Sequence, residues 1–454
     1  MPSAEESRGS LLSRWWYRNY VLALLFSSYV INVMDRSPVL AVSLQSIKAE
    51  FGASDTALGL LTGIAFAVFY ATMGIPIAAW ADRSSRRNVL AVSVALWSGM
   101  TALCGAAVNF ATLFAARVGT AIGEAGGSPP AHALISDYFP KSERGRAFSI
   151  YALGVPFGTA LGNFVAGRAI QTLGWRGTFM LVGIPGILVA LLVRLTVQEP
   201  PRGFADQVDP SRSARTQAPG LFEAMAVLMQ RASFRHMSLA VALHSVVWYA
   251  SGAFNAAFLI RSHQMSAGTA ANWLTIFAVA GGIGTLLGGY AADRLAVRTG
   301  DKRWYLWVPG GATLVMVPFQ FAAYLAGDLN VALPSFVVMT FLAAVFFGPS
   351  FTMTQSLATL RMRSVASSLL LFIQTMIGYG LGPLVAGHIS DRLAPAHGTQ
   401  SLRYALAIVG VVNVWAAIHY GLGTRTLGAD IALAEQQDLA SAGGTSASWQ
   451  PAKA

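Results

Sequence analysis

One cysteine occurs in 454 residues, Cys104, and it sits inside an apolar run, so no intramolecular disulfide can form. Lysine is almost as scarce: there are four, none of them after a glycine, which excludes a P-loop and therefore nucleotide hydrolysis as the energy source. No HExxH or GxSxG motif accompanies the His132 and Asp137 pair, whose offset some acyltransferases use, and no enzyme is expected. Charge as a whole is scarce at 11%, against about a quarter in a soluble domain, so a water-exposed surface for this length cannot be built. The formal charge of +11 is spread in short clusters between apolar runs, whereas nucleic acid needs a concentrated basic face. No nucleic-acid partner is expected. Nor is a cleavable signal peptide, because the first apolar run continues for a full span and holds an acid and a base.

What is present is hydrocarbon: 54% hydrophobic residues and a mean hydropathy of +0.54. Apolar runs of roughly 20 residues recur down the chain, each long enough for a bilayer core about 30 Å thick. Spans are read near residues 20–45, 57–80, 88–108, 110–134, 146–168, 177–197, 236–260, 268–292, 305–326, 331–357, 366–389 and 403–422. The fold class expected is an all-α membrane protein of twelve transmembrane helices in two pseudo-symmetric six-helix bundles. Residues 1–19 form an N-terminal segment, 20–197 the first bundle, 198–235 a linker rich in proline, 236–425 the second bundle, and 426–454 a tail expected to be disordered. Loops and tails on the side of the termini hold 23 basic residues against 6 on the other side, which predicts both termini in the cytoplasm. Leu11, Leu12, Trp15, Trp16, Tyr17 and Tyr20 interleave with Arg14 and Arg18, as in an interfacial helix or an aromatic belt at the mouth of a span.

The halves are related in sequence. Leu161-Gly-Asn-Phe-Val-Ala-Gly167 in the fifth span matches Leu381-Gly-Pro-Leu-Val-Ala-Gly387 in the eleventh at five of seven positions. Ala81-Asp82-Arg83 after the second span likewise matches Ala292-Asp293-Arg294 after the eighth. Duplicated bundles with a site between them suit alternating access.

Of the twenty carboxylates only Asp35 and Glu124 lie well inside spans, joined there by Arg36 and Arg117. Charges sunk in a bilayer cost several kcal/mol, on the order of 3 or more, and mark a pathway facing water. Asn32, Asp35 and Arg36 share a helix face, as do Arg117 and Glu124, so the two faces can meet and load or release a proton. Two permanent salt bridges that only fix packing are the alternative. All four charges lie in the first half. Candidate walls of a substrate cavity are Asn32, Tyr70, Ser128 and His132 in the first half and His244, Trp248, Asn255, Gln355 and Gln374 in the second. Such a cavity is poor in charge and rich in apolar and aromatic groups.

The segment Ala78-Ala-Trp-Ala-Asp82-Arg83-Ser-Ser-Arg86-Arg87 resembles the loop signature of the major facilitator superfamily, with Ala78 in place of its first glycine, and Gly289-Tyr-Ala-Ala-Asp293-Arg294 is its second copy. Arg117 through Ala125, followed by Phe139-Pro140 and Arg144-Gly-Arg146, resembles the fourth-helix pattern. Within the superfamily, Met34-Asp35-Arg36 together with Gly123-Glu124-Ala125 is similar to the spinster family, most of all its bacterial members, strongly over about the first 200 residues. Anion:cation symporters also carry an Asp-Arg pair and a Gly-Glu-Ala element. The resemblance implies a proton-linked carrier of lysolipid or sphingoid-type amphiphiles. It assigns coupling to Asp35, Arg36, Arg117 and Glu124, and a cytoplasmic gate to Asp82, Arg83, Arg86, Arg87, Asp137 and Arg144. In the gate, Asp82 can meet a helix N-terminus and Arg83 can pair with Asp137, latching the halves.

The expected function is proton-coupled secondary transport of an amphiphile by a monomer in a bacterial inner membrane, with protons as coupling ion and neither cofactor nor metal. A soluble organic anion or drug-like solute is the alternative substrate, and a non-transporting receptor or scaffold the distant alternative.

Overall fold

The computed structural model describes residues 11–12, 14–201, 204–206, 221–359 and 362–442. Helix is the only regular structure among the described residues. Each stretch that hydropathy assigns to a span is helical apart from short breaks and end residues. Eight helical runs are long and apolar enough to cross a membrane on length and composition. Two of them, Glu143–Thr196 with 54 residues and Val365–Gly423 with 59, far exceed the roughly 20 residues of one crossing. Each contains a glycine in the left-handed region where the direction changes, Gly174 at φ 66° and Gly398 at φ 53°.

Two further pairs of helices meet at short breaks. Trp15–Arg36 gives way to Pro38–Phe51 at Ser37, because Pro38 has no N–H to continue the ladder. Phe110–Ala125 gives way to Ser128–Tyr138 at Gly126 and Gly127, ahead of Pro129 and Pro130. Both breaks fall beside the buried charges and free main-chain groups there.

The two halves touch along a few seams: Gly154–Thr196 against Ala267–Thr299, Asp55–Thr62 against Gly382–His397, Ile64–Arg83 against the π-helical turn Gln374–Leu381, and Pro38–Phe51 against Ala232–His263. The sequence repeat has its physical reason in these seams. A Cβ on Gly167 would lie 2.4 Å from the Ala271 Cβ across the first seam, and one on Gly387 would lie 2.1 Å from the Asp55 carbonyl oxygen across the second. Both positions need glycine because helices of opposite halves approach closely there, against a side-chain methyl at Gly167 and against backbone at Gly387.

Three boundaries differ from the sequence reading. The aromatic segment from Trp15 to Tyr20 is the start of the first long helix, with Trp15 and Trp16 exposed and Tyr17 buried. Tyr17 donates to the Thr196 carbonyl at 2.8 Å, so this end of the first span is pinned to the end of the sixth. The linker holds a helix, Leu221–Gln230. Residues 427–442 of the tail, expected to be disordered, form the helix Leu427–Ala442. Leu427, Ile431 and Ala434 bury one face of it, and Asp430 accepts from the Ser233 amide at 2.9 Å, capping the Ala232–His263 helix. The remainder of the tail, and residues 207–220 of the linker, lie outside the described residues.

Candidate functional site

The break at Ser37 organises the buried charges. Helix carbonyls next to such a break have lost their N–H partners. Arg117 fills that role: Nη1 donates to the Asp35 carbonyl at 3.2 Å and Nη2 to the Arg36 carbonyl at 2.8 Å. Arg117 is fully buried, and it binds main chain where the sequence suggested a carboxylate partner. Asp35 is also fully buried and accepts from the Thr101 hydroxyl at 2.8 Å. Arg36 turns the other way, donating from Nε to Glu124 Oε2 at 2.6 Å and from Nη2 to Asn32 Oδ1 at 3.1 Å. One ion pair therefore joins the first and fourth spans, where the sequence allowed two.

The two carboxyls also meet. Asp35 and Glu124 interact through their side chains, and one oxygen of each, Oδ1 and Oε1, is buried with no donor. Neither carboxylate can donate to the other unless one of them carries a proton.

Aromatic rings roof the cluster. The Arg36 guanidinium lies 5.0 Å from the Phe66 ring centre and 4.9 Å from that of Tyr70, and Phe66 in turn packs 5.2 Å from Tyr379 of the second half. Tyr379 sits in the π-helical turn and rests 4.7 Å from Tyr249. The ring stack thus links the charges to the opposite half. Neither Phe66 nor Tyr379 is marked by charge or motif, and Phe66 is distinguishable in sequence only by its four-residue spacing from Tyr70.

The other candidates scatter. Asn32 and Tyr70 join the charge cluster, while Ser128 lies beside Asn32 across a small chamber. His132 is exposed and set edge-on to Phe148 and Tyr151. In the second half, His244 is a correction: both ring nitrogens are engaged inside that half, with Asn413 Oδ1 at 3.0 Å and the Ala343 carbonyl at 2.8 Å. Asn413 continues to Gln320, so a polar network fixes those helices to each other. Asn255 is likewise satisfied internally, accepting from Tyr324 at 2.8 Å. Gln355 donates to Ser367 near the termini end of its helix, away from the middle of the span. Trp248 is half-buried against Phe347, and Gln374 is buried at the start of the π-helical turn.

The proposed gate is also rearranged. Asp137 pairs with Arg86, not with Arg83, which is exposed. Both partners belong to the first half, so the bond does not latch the halves. Arg87 donates to the Val197 carbonyl at 3.1 Å and Arg144 to the Ser136 carbonyl at 2.7 Å. The N-terminus of the Arg86–Gly105 helix is met by Glu199, which accepts from the Arg86 and Arg87 amides at 2.9 and 2.8 Å. The Asp82 side chain lies outside the described residues.

A latch between the halves does exist, at the opposite end. Asp55 of the first half accepts both terminal nitrogens of Arg261 of the second, at 2.8 and 2.9 Å, and also Lys48 at 2.5 Å and Ser390 at 2.7 Å. Arg261 Nε reaches Gln45 at 2.6 Å. Asp391 of the second half accepts from the Asp55 and Thr56 amides at 2.9 and 2.7 Å, capping a helix of the first. In sequence these residues are ordinary loop-edge charges. The only hint was Gly387, four residues before Asp391 in the repeated segment.

A sequence model of the Major Facilitator Superfamily matches residues 25–374. The chain belongs to this superfamily. Like its other members it is an integral membrane transporter and not an enzyme. An MFS-type efflux pump of Mycolicibacterium smegmatis is 32% identical over 424 residues, covering 92% of this chain and 94% of the pump. The sphingosine-1-phosphate transporter SPNS2 of Mus musculus is 30% identical over 235 residues, covering 51% of this chain and 41% of that one. A crystal structure of a bacterial homologue of the human lysosomal transporter spinster, inward-facing and unoccupied, is similar at a TM-score of 0.83 and 34% identity, covering 92% of this chain and 99% of that one. The spinster likeness seen in the first half thus extends across both.

Proposed function

We propose that this transporter is proton-coupled, works by alternating access, and moves a lysolipid or sphingoid-like amphiphile. The observation that carries the coupling is the pair Asp35 and Glu124, buried together with one oxygen on each lacking a donor. A single proton shared by the pair supplies the missing donor, and its loss leaves two like charges side by side, which strains the site toward another arrangement. A proton crossing 100 mV is worth about 2.3 kcal/mol, enough to drive uphill movement of a neutral solute. Arg36 ties this event to Phe66, and Phe66 to Tyr379 of the other half.

The amphiphile is favoured by the aromatic rings packed between the halves over the charge cluster and by the partial likeness to a sphingosine-1-phosphate transporter. The efflux pump, alike over nearly its whole length, favours a second reading in which a drug-like solute is exported. The arrangement proposed is a monomer in a bacterial inner membrane with both termini in the cytoplasm, consistent with the distribution of basic residues.

Proteoliposomes carrying the wild type, Asp35→Asn or Glu124→Gln, offered lysolipid, sphingoid and organic-solute panels with and without a pH gradient, test both parts. Gradient-driven uptake is expected in the wild type alone. Uptake that persists unchanged in both variants removes the coupling role, and uptake of organic solutes only removes the amphiphile.

A further inference from the structure

A hollow on the outer surface of the second half belongs to neither the charge cluster nor the seams between the halves. It runs between the helices Trp304–Leu325 and Val412–Gly423 and has a volume of about 360 Å³. Trp307, Leu314 and Ile418 along it are exposed, and no side chain that lines it is charged or carries a hydroxyl. In a chain that crosses a bilayer, an exposed apolar surface of this kind faces lipid.

Its width limits what fits. From Leu306 to Leu314 the helix rises about 12 Å, so the volume corresponds to a cross-section of about 30 Å². A helix about 10 Å across needs about 80 Å². The hollow therefore suits a single hydrocarbon chain and is too narrow for a helix of a second copy. Gly310 has a reason within the protein: a Cβ there would lie 2.8 Å from the Tyr420 Cβ, so it lets the two helices close behind the hollow. Gly311 and Gly421 have none, because both line the hollow and a Cβ on either would meet nothing within 4 Å. Glycine within a helix is less stable than alanine, so these two keep open a space that the chain itself does not fill.

The hollow begins at the termini end, in the first turn of one helix at Leu306 and the last turn of the other at Gly421. Charges stand at this mouth. The Arg303 guanidinium lies 5.0 Å from the Trp307 ring centre and is answered by Asp301 at 2.9 Å, and Lys302 is answered by Glu435 at 3.3 Å. Arg425 comes one turn after Gly421, in a turn held by the bonds Thr424 N–H to the Gly421 carbonyl and Arg425 N–H to the Leu422 carbonyl. Its side chain is exposed, and its guanidinium has no partner among the described residues. The mouth thus carries one positive charge in surplus, above an apolar channel that leads into the bilayer.

We propose that this hollow is a binding site for an anionic phospholipid of the leaflet on the termini side, with one acyl chain between the two helices and the phosphate at Arg425. A guanidinium gives the phosphate charge-assisted hydrogen bonds, which a zwitterionic lipid shares with its own cation. The turn that carries Arg425 also joins the last span to the tail helix Leu427–Ala442, so the bound lipid ties that joint to the membrane surface. The site is separate from the Asp35 and Glu124 pair and stands whatever the passenger is.

Full-length protein in detergent, stripped of lipid and titrated with phosphatidylglycerol or phosphatidylcholine, provides the test, with native mass spectrometry counting bound lipids and weighing the assembly. Wild type is expected to hold one phosphatidylglycerol about tenfold more tightly than phosphatidylcholine. Gly311→Leu and Gly421→Leu, which fill the hollow, are each expected to weaken that lipid by about tenfold or more. Arg425→Gln is expected to bring phosphatidylglycerol down to the affinity of phosphatidylcholine and to leave the latter unchanged. Equal affinity in wild type and both leucine variants overturns the site, and so does a wild type that does not distinguish the two lipids. A wild-type mass of two chains that falls to one in the leucine variants assigns the hollow to a second copy and overturns the lipid. Should the leucine variants fail to fold, Arg425→Gln in its exposed turn decides: loss of the preference supports the site, and an unchanged preference overturns it.

Discussion

At the end remote from the termini, Asp55 and Asp391 each bind a residue of the opposite half; at the termini end the ion pairs Arg18–Glu143, Arg86–Asp137 and Lys302–Glu435 each stay within one half. The same kinds of side chain therefore do different jobs. Far-end charges hold the two bundles together, and termini-end charges brace each bundle internally. In this structure a few bonds at one end thus join the two halves there. The similar spinster homologue is an inward-facing structure.

The contrast breaks first, if it is wrong, at Arg261. Arg261→Ala removes both bonds to Asp55 and the one to Gln45, and loss of a buried charge partner costs about 3–5 kcal/mol. In a Cys104→Ala background with spin labels at Val108 and Thr399, exposed on far-end loops of the two halves, the longer distances are expected to become the major population. Distances that stay at the wild-type value show that the latch does not hold that end shut.

Arg86→Ala sharpens the comparison from the other side. It removes one ion-pair partner of the largely buried Asp137 and is expected to lower stability by about 1–3 kcal/mol without moving those label distances. A shift in the distances puts the termini-end pairs in the latch class after all. Asp391→Asn has a smaller effect, because asparagine still accepts at a helix N-terminus; a loss of about 1 kcal/mol and a partial rise of the open population are expected in the same measurement.

The smallest effect belongs to Glu50, at the far end but within the first half. Hydrogen bonds from Arg176, and then from the Trp175 indole, hold its carboxyl below the usual range. Its contribution is fully present above the ordinary glutamate value of about 4.3 and is lost as pH falls through the lowered folded value. Exposed as it is, Glu50→Gln is expected to leave the label distances unchanged and to reduce only the acid dependence of melting. Opening of the far end in this variant blurs the distinction between latch and brace.

The sequence made the helical architecture, the duplicated segments and the four buried charges legible, because each is written locally: apolar runs by length, the repeat by its glycines, the charges by their place in hydrocarbon. Partners far apart in the chain were not legible. Asp55 meets Arg261 and Asp391 only when the halves are assembled, and nothing about a charge at a loop edge distinguishes a latch from a topology signal. His244 and Asn255 misled because a polar residue in a span satisfies itself inside its own bundle as readily as it faces a cavity. The tail helix was written in the spacing of Leu427, Ile431 and Ala434, which the surrounding polar residues obscured.

Arg117 holds peptide carbonyls, and a peptide carbonyl does not titrate in the range where carboxylates and histidines do. Its positive charge is bonded to no carboxylate, and Asp35 acts on it only through space. On the proton-coupled reading proposed above, each proton gained or lost at the neighbouring acids changes the net charge of the hydrocarbon-embedded interior by a whole unit against that fixed background. A lipid membrane resists such a change strongly, and relief comes only when the cluster meets water or a compensating charge on a passenger.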